Sequence, residues 1–509
     1  MQKLKPLNRA LLASQAALPE NLACGSLQRF PERVLQFGEG NFLRAFVDWM
    51  LCETNARGLF QGSAVLVQPI AAGLAAKINE QDGLYTLLLR GVEEGKVVET
   101  RRIITSVSRA LNPYEDWAAL VALACSADLR FVFSNTTEAG IAYVEEPYTP
   151  GTCPSSFPAK VTALLYERFQ AVGGDHARGL IFIPCELIEH NGAKLKEYVL
   201  QHAAAWKLGD AFTAWLKSAN AFLSTLVDRI VPGYPRAEAE KLCQELGYTD
   251  GLLDTGEIFH LWVIEGSPKF AEELPLHKAG LNVIWTEDMT PYRTRKVRIL
   301  NGAHTACVLA SFLGGLDTVG EMMDDPLLGR FIRKAVFDEI VPALPMEEAE
   351  KQAYARAVLE RFQNPFIRHE LLSISLNSVS KWKVRVLPSL LDTLKNTGKL
   401  PAALAFSLAA LIAFYKGTPA TDGSSMQGER NGAAYPIRDD ADVLAFFAAQ
   451  WKAATGGNWC ALAQATLSQA AFWGQDLTLL PGMTQAVAAG LEAIETKGAR
   501  AAAEAVLNQ

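Results

Sequence analysis

Paired cysteines are missing from this sequence. The eight present, at positions 24, 52, 125, 153, 185, 243, 307 and 460, include no CxxC spacing and are scattered over 509 residues. That excludes a disulfide framework and reads as reduced thiols in a cytoplasmic protein. Histidine is also scarce, seven in all without an HExxH pair, so no metal site is expected. No apolar run reaches the roughly 20 residues that span a bilayer. Leu400 to Tyr415 is short and carries Pro401 and Ser407, which makes it a buried helix. Ala10 to Leu18 follows Lys3, Lys5 and Arg9 but is broken by Ser14 and Gln15, a poor signal peptide. A basic surplus is absent as well, the net charge being −7, so neither nucleic acid nor a membrane is an expected partner.

What remains is a globular composition, half hydrophobic and one fifth charged, long enough for two or three domains. The first half alternates helical patterns with short runs rich in Val, Ile and Phe: Arg33 to Phe37, Ala64 to Val67, Arg130 to Phe133 and Leu180 to Ile183. Such runs are the pattern of a parallel sheet buried on both faces. Tyr85 to Arg90 and Lys96 to Ser108, joined through Glu93-Glu94-Gly95, look like an inserted antiparallel pair. Beyond about residue 290 helical patterns dominate, as in Pro326 to Val341, Glu347 to Phe362, Ala441 to Ala453 and Gln485 to Leu507. Gly417 to Gly432, rich in Gly, Ser and Thr, reads as a surface loop. The expected plan is an α/β domain over residues 1–290 with a Rossmann-type, dinucleotide-binding sheet, followed by a mostly helical domain over 291–509. Nothing in the sequence sets the oligomeric state.

Phe37-Gly38-Glu39-Gly40-Asn41-Phe42-Leu43-Arg44 lies where the first strand turns into the first helix. Glycines there permit a tight turn, and exposed N–H groups at a helix start can hold a pyrophosphate. Only G-x-G is present, without a third glycine. Phe37, Gly38, Gly40, Asn41 and Phe42 are therefore candidate cofactor contacts. Val67-Gln68-Pro69, ending the second strand, lacks the acid that usually holds an adenosine 2′-OH, leaving NAD and NADP undecided at this point. Ser134, Asn135, Thr136 and Glu138, at the end of a later strand, lie near the expected nicotinamide ribose, or else form a helix N-cap cluster.

Lys296-Val297-Arg298-Ile299-Leu300-Asn301-Gly302-Ala303-His304 brings an amine, an amide and an imidazole together just past the expected domain junction. On an α-helix, offsets of five and eight correspond to rotations of roughly 500° and 800°, which let all three side chains reach one cavity. A proton-transfer group, a carbonyl-polarising amide and an orienting ring suit metal-free carbonyl or alcohol chemistry.

Several stretches in order resemble the long-chain polyol dehydrogenase family typified by mannitol dehydrogenase. They are Phe37 to Ala45, Asp82-Gly83-Leu84-Tyr85-Thr86, Ser134 to Ile141, Ile183 to Ile188, Val227-Asp228-Arg229-Ile230 and the Lys-x4-Asn-x2-His set. The resemblance runs from about residue 31 to the last helices. It implies NAD as cofactor and a metal-free interconversion of D-tagaturonate and D-altronate, with D-fructuronate or a mannitol-type polyol as the alternative substrate. A catalytically silent dinucleotide sensor would not need all of Lys296, Asn301 and His304. By family analogy Lys296 is the acid/base, Asn301 and Asn191 stabilise a developing oxyanion, and His304 orients substrate or lysine. Arg298 is a candidate cation for lowering the lysine's proton affinity. A sugar-acid carboxylate needs cations, for which Arg293, Lys381 and Arg385 are the candidates, with Asp228 as a further substrate contact.

Overall fold

The computed structural model describes residues 4–14, 18–420, 425–454 and 456–508. The chain divides into two compact units, one of residues 1–91 and 97–289, the other of residues 290–509 with 92–96. In the first unit six strands form a parallel sheet: β1 (Glu32–Phe37), β2 (Ser63–Val67), β3 (Val107–Leu111), β4 (Phe131–Ser134), β5 (Ile181–Pro184) and β6 (Ala221–Phe222). Their spatial order is β3-β2-β1-β4-β5-β6, which reverses direction between β1 and β4. That is the doubly wound dinucleotide-binding order, whose switch point is where ligands sit.

The strands read as unbroken apolar runs because both faces are covered. Val34, Ala64, Leu66, Phe131, Phe133 and Ile183 serve one core, while Leu35, Phe37, Val65, Val67, Val132 and Phe182 serve another. The period-2 alternation is therefore between two apolar interiors, not between core and water.

The inserted pair is present as Tyr85–Glu93 and Lys96–Ile104, neighbours in a second sheet. Glu94 and Gly95 both take positive φ, 50° and 74°, the two-residue turn that matches strand twist. The second strand ends earlier than the sequence suggested. Thr105 and Ser106 interrupt it, and the residues from Val107 join the parallel sheet as β3 beside β2.

In the second unit the helix Ala402–Phe414 is buried throughout from Ala403 onward. This is the apolar stretch expected to be a core helix, and it packs against Met483–Lys497 and Ala499–Leu507. Those two helices replace the single one expected over Gln485 to Leu507, because Gly498 at φ 86° breaks it. The surface loop expected over Gly417 to Gly432 is corrected to an antiparallel sheet of Gly417–Pro419, Met426–Arg430 and Ala433–Ile437. Its tight turn is Asn431-Gly432, with φ 52° and 80°, a hairpin signal. Residues 421–424 of that stretch lie outside the described residues. Among the described residues no helix is long and apolar enough to cross a membrane.

Candidate functional site

The G-x-G turn is pinned to both strands beside it. Gly38 N–H donates to Val67 O at 2.9 Å, and Phe37 O accepts from Asn135 N–H at 3.0 Å. Gly38 has φ 113°, and a Cβ there would stand 2.9 Å from the Asn135 carbonyl oxygen, so glycine is required. Gly40 differs. It is extended at φ −68° and ψ 169° and precedes the helical start Asn41–Leu43. A Cβ on Gly40 would meet nothing within 4 Å. The turn thus leaves open space in front of backbone N–H groups at the switch point, a cradle that fits a pyrophosphate.

The side chains around it are mostly committed to the scaffold. Asn41 Oδ1 accepts from buried Arg44 at 2.6 Å, and Phe42 stacks on Phe46 at 5.1 Å. Arg44 also donates to Leu252 O and lies 3.7 Å from Asp254. At the end of β4, Ser134 Oγ and Thr136 Oγ1 both donate to Glu186, at 2.9 Å each, and Thr136 N–H adds a third bond at 2.8 Å. Asn135 Nδ2 donates to Cys185 O, and Glu138 is exposed. Sequence reasoning missed Glu186, although it stands in a quoted stretch just after β5. Burial raises its proton affinity, and the bonds from Thr136 and Ser134 oppose that rise.

Asn191, nominated as an oxyanion donor, is built into the scaffold. Its side chain is fully enclosed, and Nδ2 lies within hydrogen-bonding distance of the carbonyls of Pro184, Glu186 and Thr225. Its Oδ1 accepts from the N–H groups of Gly192 and Thr225. Four of these contacts tie the start of the helix Asn191–Ala205 to the end of β5, to Glu186 just beyond it and to the strand Ser224–Asp228. Each polar group left unsatisfied costs about 1–3 kcal/mol. Asn191→Ala is therefore expected to lower stability by at least about 3 kcal/mol, read as a fall in thermal midpoint. A midpoint within a degree of the parent would contradict the assignment. Asp228 ends the strand Ser224–Asp228 and is buried.

In the second unit Lys296 to Asn301 is a π-helical turn, following Thr290–Arg295 and leading into the α-helix Gly302–Leu313. This corrects the angular reasoning from an α-helix. There, five residues would leave Lys296 and Asn301 roughly 140° apart. The i→i+5 bonding of a π turn instead places residues five apart one above the other. Gly302 comes next, and a Cβ on it would meet the Arg385 carbonyl oxygen at 3.1 Å, so the helix Ser378–Arg385 approaches closely here.

His304 is buried, 8% exposed, between Phe362 and His369, whose ring centroids lie 4.0 and 5.2 Å away. Its Nδ1 has no hydrogen-bond partner among the described residues. Burial, then His369, Arg361, Arg385 and Lys381 in that order, hold its proton affinity well below the ordinary imidazole value. These groups come from three separate segments and converge on one ring. Sequence reasoning nominated Lys381 and Arg385 and missed Arg361 and His369, which are remote in sequence from the motif. Lys381 donates to Ile374 O at 3.0 Å, and burial and Arg385 lower its proton affinity. The Arg298 guanidinium, the nominated neighbouring cation, donates to Ser389 Oγ at 2.6 Å and to Asp392 at 2.9 Å. Arg293 sits half-buried on the helix Thr290–Arg295, while its neighbour Arg295 pairs with Glu350 and lies over the Tyr354 ring.

Because folded His304 takes up a proton only far below pH 6.5, it stays neutral throughout the neutral range. His304→Gln should therefore lower turnover without moving the acid limb of the kcat/KM profile. An acid limb that vanishes in the variant would show that the ring titrates during turnover. Among the described residues no group of three or more His, Cys, Asp or Glu is placed to hold a metal ion.

A doubly wound sheet with a glycine turn at its switch point, and a helical unit carrying a lysine, an amide and a neutral imidazole, define a two-unit dehydrogenase of the Rossmann class. The chain belongs to the mannitol dehydrogenase family. The family's Rossmann domain matches residues 32–278, and its C-terminal domain matches residues 288–495. The chain is 50% identical over 481 residues to an altronate oxidoreductase of Pectobacterium carotovorum, covering 94% of this chain and 97% of that one. It is 46% identical over 484 residues to an altronate oxidoreductase of Halalkalibacterium halodurans, covering 94% of each. Among solved structures it resembles a substrate-free D-sorbitol dehydrogenase at TM-score 0.79 and 23% identity, over 98% of this chain and 99% of that one. It also resembles the Pseudomonas fluorescens mannitol 2-dehydrogenase complex with NAD and D-mannitol at TM-score 0.68 and 23% identity, over 99% and 100%. At that identity the two structures speak for the fold alone.

Proposed function

We propose that this chain is an NAD-dependent oxidoreductase interconverting D-tagaturonate and D-altronate. The observation that carries the sugar-acid reading is the convergence of Lys381, Arg385 and Arg361 on His304. A neutral polyol gains nothing from so many positive groups, whereas a substrate carboxylate offsets their mutual repulsion. The names of the altronate oxidoreductases, at 46–50% identity, support the same substrate.

The backbone of Gly38 to Phe42 would hold the pyrophosphate, and the Ser134 to Thr136 segment would border the nicotinamide ribose. The dinucleotide, when bound, supplies the hydride, and the remaining tasks fall to side chains of this chain. As negative charge grows on the substrate oxygen, the Asn301 amide donates to it, and Lys296 delivers the proton. In altronate oxidation the lysine takes that proton back. His304, kept neutral, orients a substrate hydroxyl, while Lys381 and Arg385 grip the carboxylate. All eight cysteines are free thiols, in keeping with a cytoplasmic setting.

The test is the decay of NADH absorbance with D-tagaturonate, D-fructuronate and D-fructose offered separately. The reading expects the highest kcat/KM with D-tagaturonate. A higher value with D-fructuronate would move the assignment to the epimeric uronate. A higher value with D-fructose would remove the sugar-acid reading altogether.

A further inference from the structure

The strand end that usually supplies an acid to the adenosine ribose carries Gln68, and the structure shows what that amide does instead. Gln68 Nε2 donates to the carbonyls of Ile70 and Ala71, at 3.1 and 2.9 Å, and its Oε1 accepts from Ala75 N–H at 3.3 Å. It is a staple for the loop after β2, with both amide hydrogens spent on loop carbonyls. The loop so held packs against another acid. Glu39, the central residue of the G-x-G turn, is 7% exposed, and its Oε1 accepts from Leu74 N–H at 3.3 Å. A Cβ on Gly73 would stand 2.4 Å from that Oε1 and 2.8 Å from Gln68 Cβ. The carboxylate and the amide thus lie side by side against a glycine, between the phosphate turn and the end of β2. Ile70, on the same loop, exposes an apolar side chain, 63% open to solvent, of the kind an adenine ring covers.

In a doubly wound sheet the space between these two strand ends receives the adenosine ribose. We infer that Glu39, a residue of the phosphate turn itself, is the group that selects a dinucleotide with a free 2′-hydroxyl over one bearing a 2′-phosphate. The carboxylate accepts from the 2′-hydroxyl, and it repels a phosphate placed there with little intervening water. Gly73 is small because the carboxylate occupies the space a side chain would need. This rests on the NAD reading above and deepens it, since it names the atom that enforces the choice.

Binding of ADP-ribose and of 2′-phospho-ADP-ribose, measured by calorimetry, tests it without turnover. Wild-type protein should prefer the unphosphorylated ligand. Glu39→Gln keeps the shape and removes the charge, and it should narrow that preference by at least about tenfold, chiefly through tighter binding of the phosphorylated ligand. Gly73→Ala, which pushes the carboxylate aside, should narrow it in the same sense. Thermal midpoints of both variants establish that they are folded. A Glu39→Gln protein that is folded and keeps the wild-type preference overturns the assignment and leaves the NAD reading standing. A wild type that favours the 2′-phospho ligand overturns the NAD reading itself.

Discussion

Lys296→Ala is expected to lower kcat for D-tagaturonate reduction by about 10²–10⁴-fold, the usual contribution of a positioned acid/base. Affinity for NADH should stay within about twofold, because the dinucleotide turn belongs to the other unit. The variant removes an ammonium that must be protonated to reduce a ketone and deprotonated to oxidise an alcohol. Both directions should therefore fall, and the loss should appear in kcat more than in KM. Single-turnover measurements with saturating NADH would separate chemistry from binding. Turnover within threefold of the parent would take Lys296 out of the mechanism. Exogenous primary amines that restore part of the rate would show that proton delivery is what was lost.

Arg385→Leu should act on the other parameter. A guanidinium that grips a partly desolvated carboxylate contributes about 1.5–3 kcal/mol, or roughly 10–150-fold in affinity. KM for D-tagaturonate is expected to rise by that factor, while D-fructose reduction changes by less than about threefold, since fructose has no carboxylate. Lys381→Met should move both substrates in the same pattern. Equal losses on the two substrates would mean that these cations serve the scaffold rather than the acid group. The same substitution carries a second signature. With one positive neighbour gone, the proton affinity of His304 should rise toward its ordinary value.

These two residues also mark how far the sequence could be read. The glycine turn was legible because strand, G-x-G and helix are contiguous, and local chain geometry alone places them. The Lys-x4-Asn-x2-His set likewise lies in one contiguous helical segment. What was not legible depended on partners remote in sequence. Nothing in Asn191-Gly192 announces that a strand thirty residues away will take both faces of the amide. Arg361 and His369 come near His304 only because the helix Glu348–Phe362 and the segment after it fold back onto Gly302–Leu313. The Gly417 to Gly432 stretch failed differently, since its glycines and threonines were weighed as composition when Asn431-Gly432 was a specific turn. The π turn at Lys296 has no residue signature at all.

That turn has a consequence for how the motif tolerates change. An i→i+5 turn holds one residue more than the α-helical turn it replaces, and the surplus is what brings Lys296 and Asn301 into line. The alignment is thus a matter of count, indifferent to whether Val297 or Leu300 is exchanged for another apolar residue of like size. Deleting any single position between the lysine and the asparagine would let the helix rewind to its ordinary pitch. Deleting a second would leave that α-helix one residue short and swing everything upstream by about 100° relative to His304. The chemistry of this segment is written in its length as firmly as in its letters.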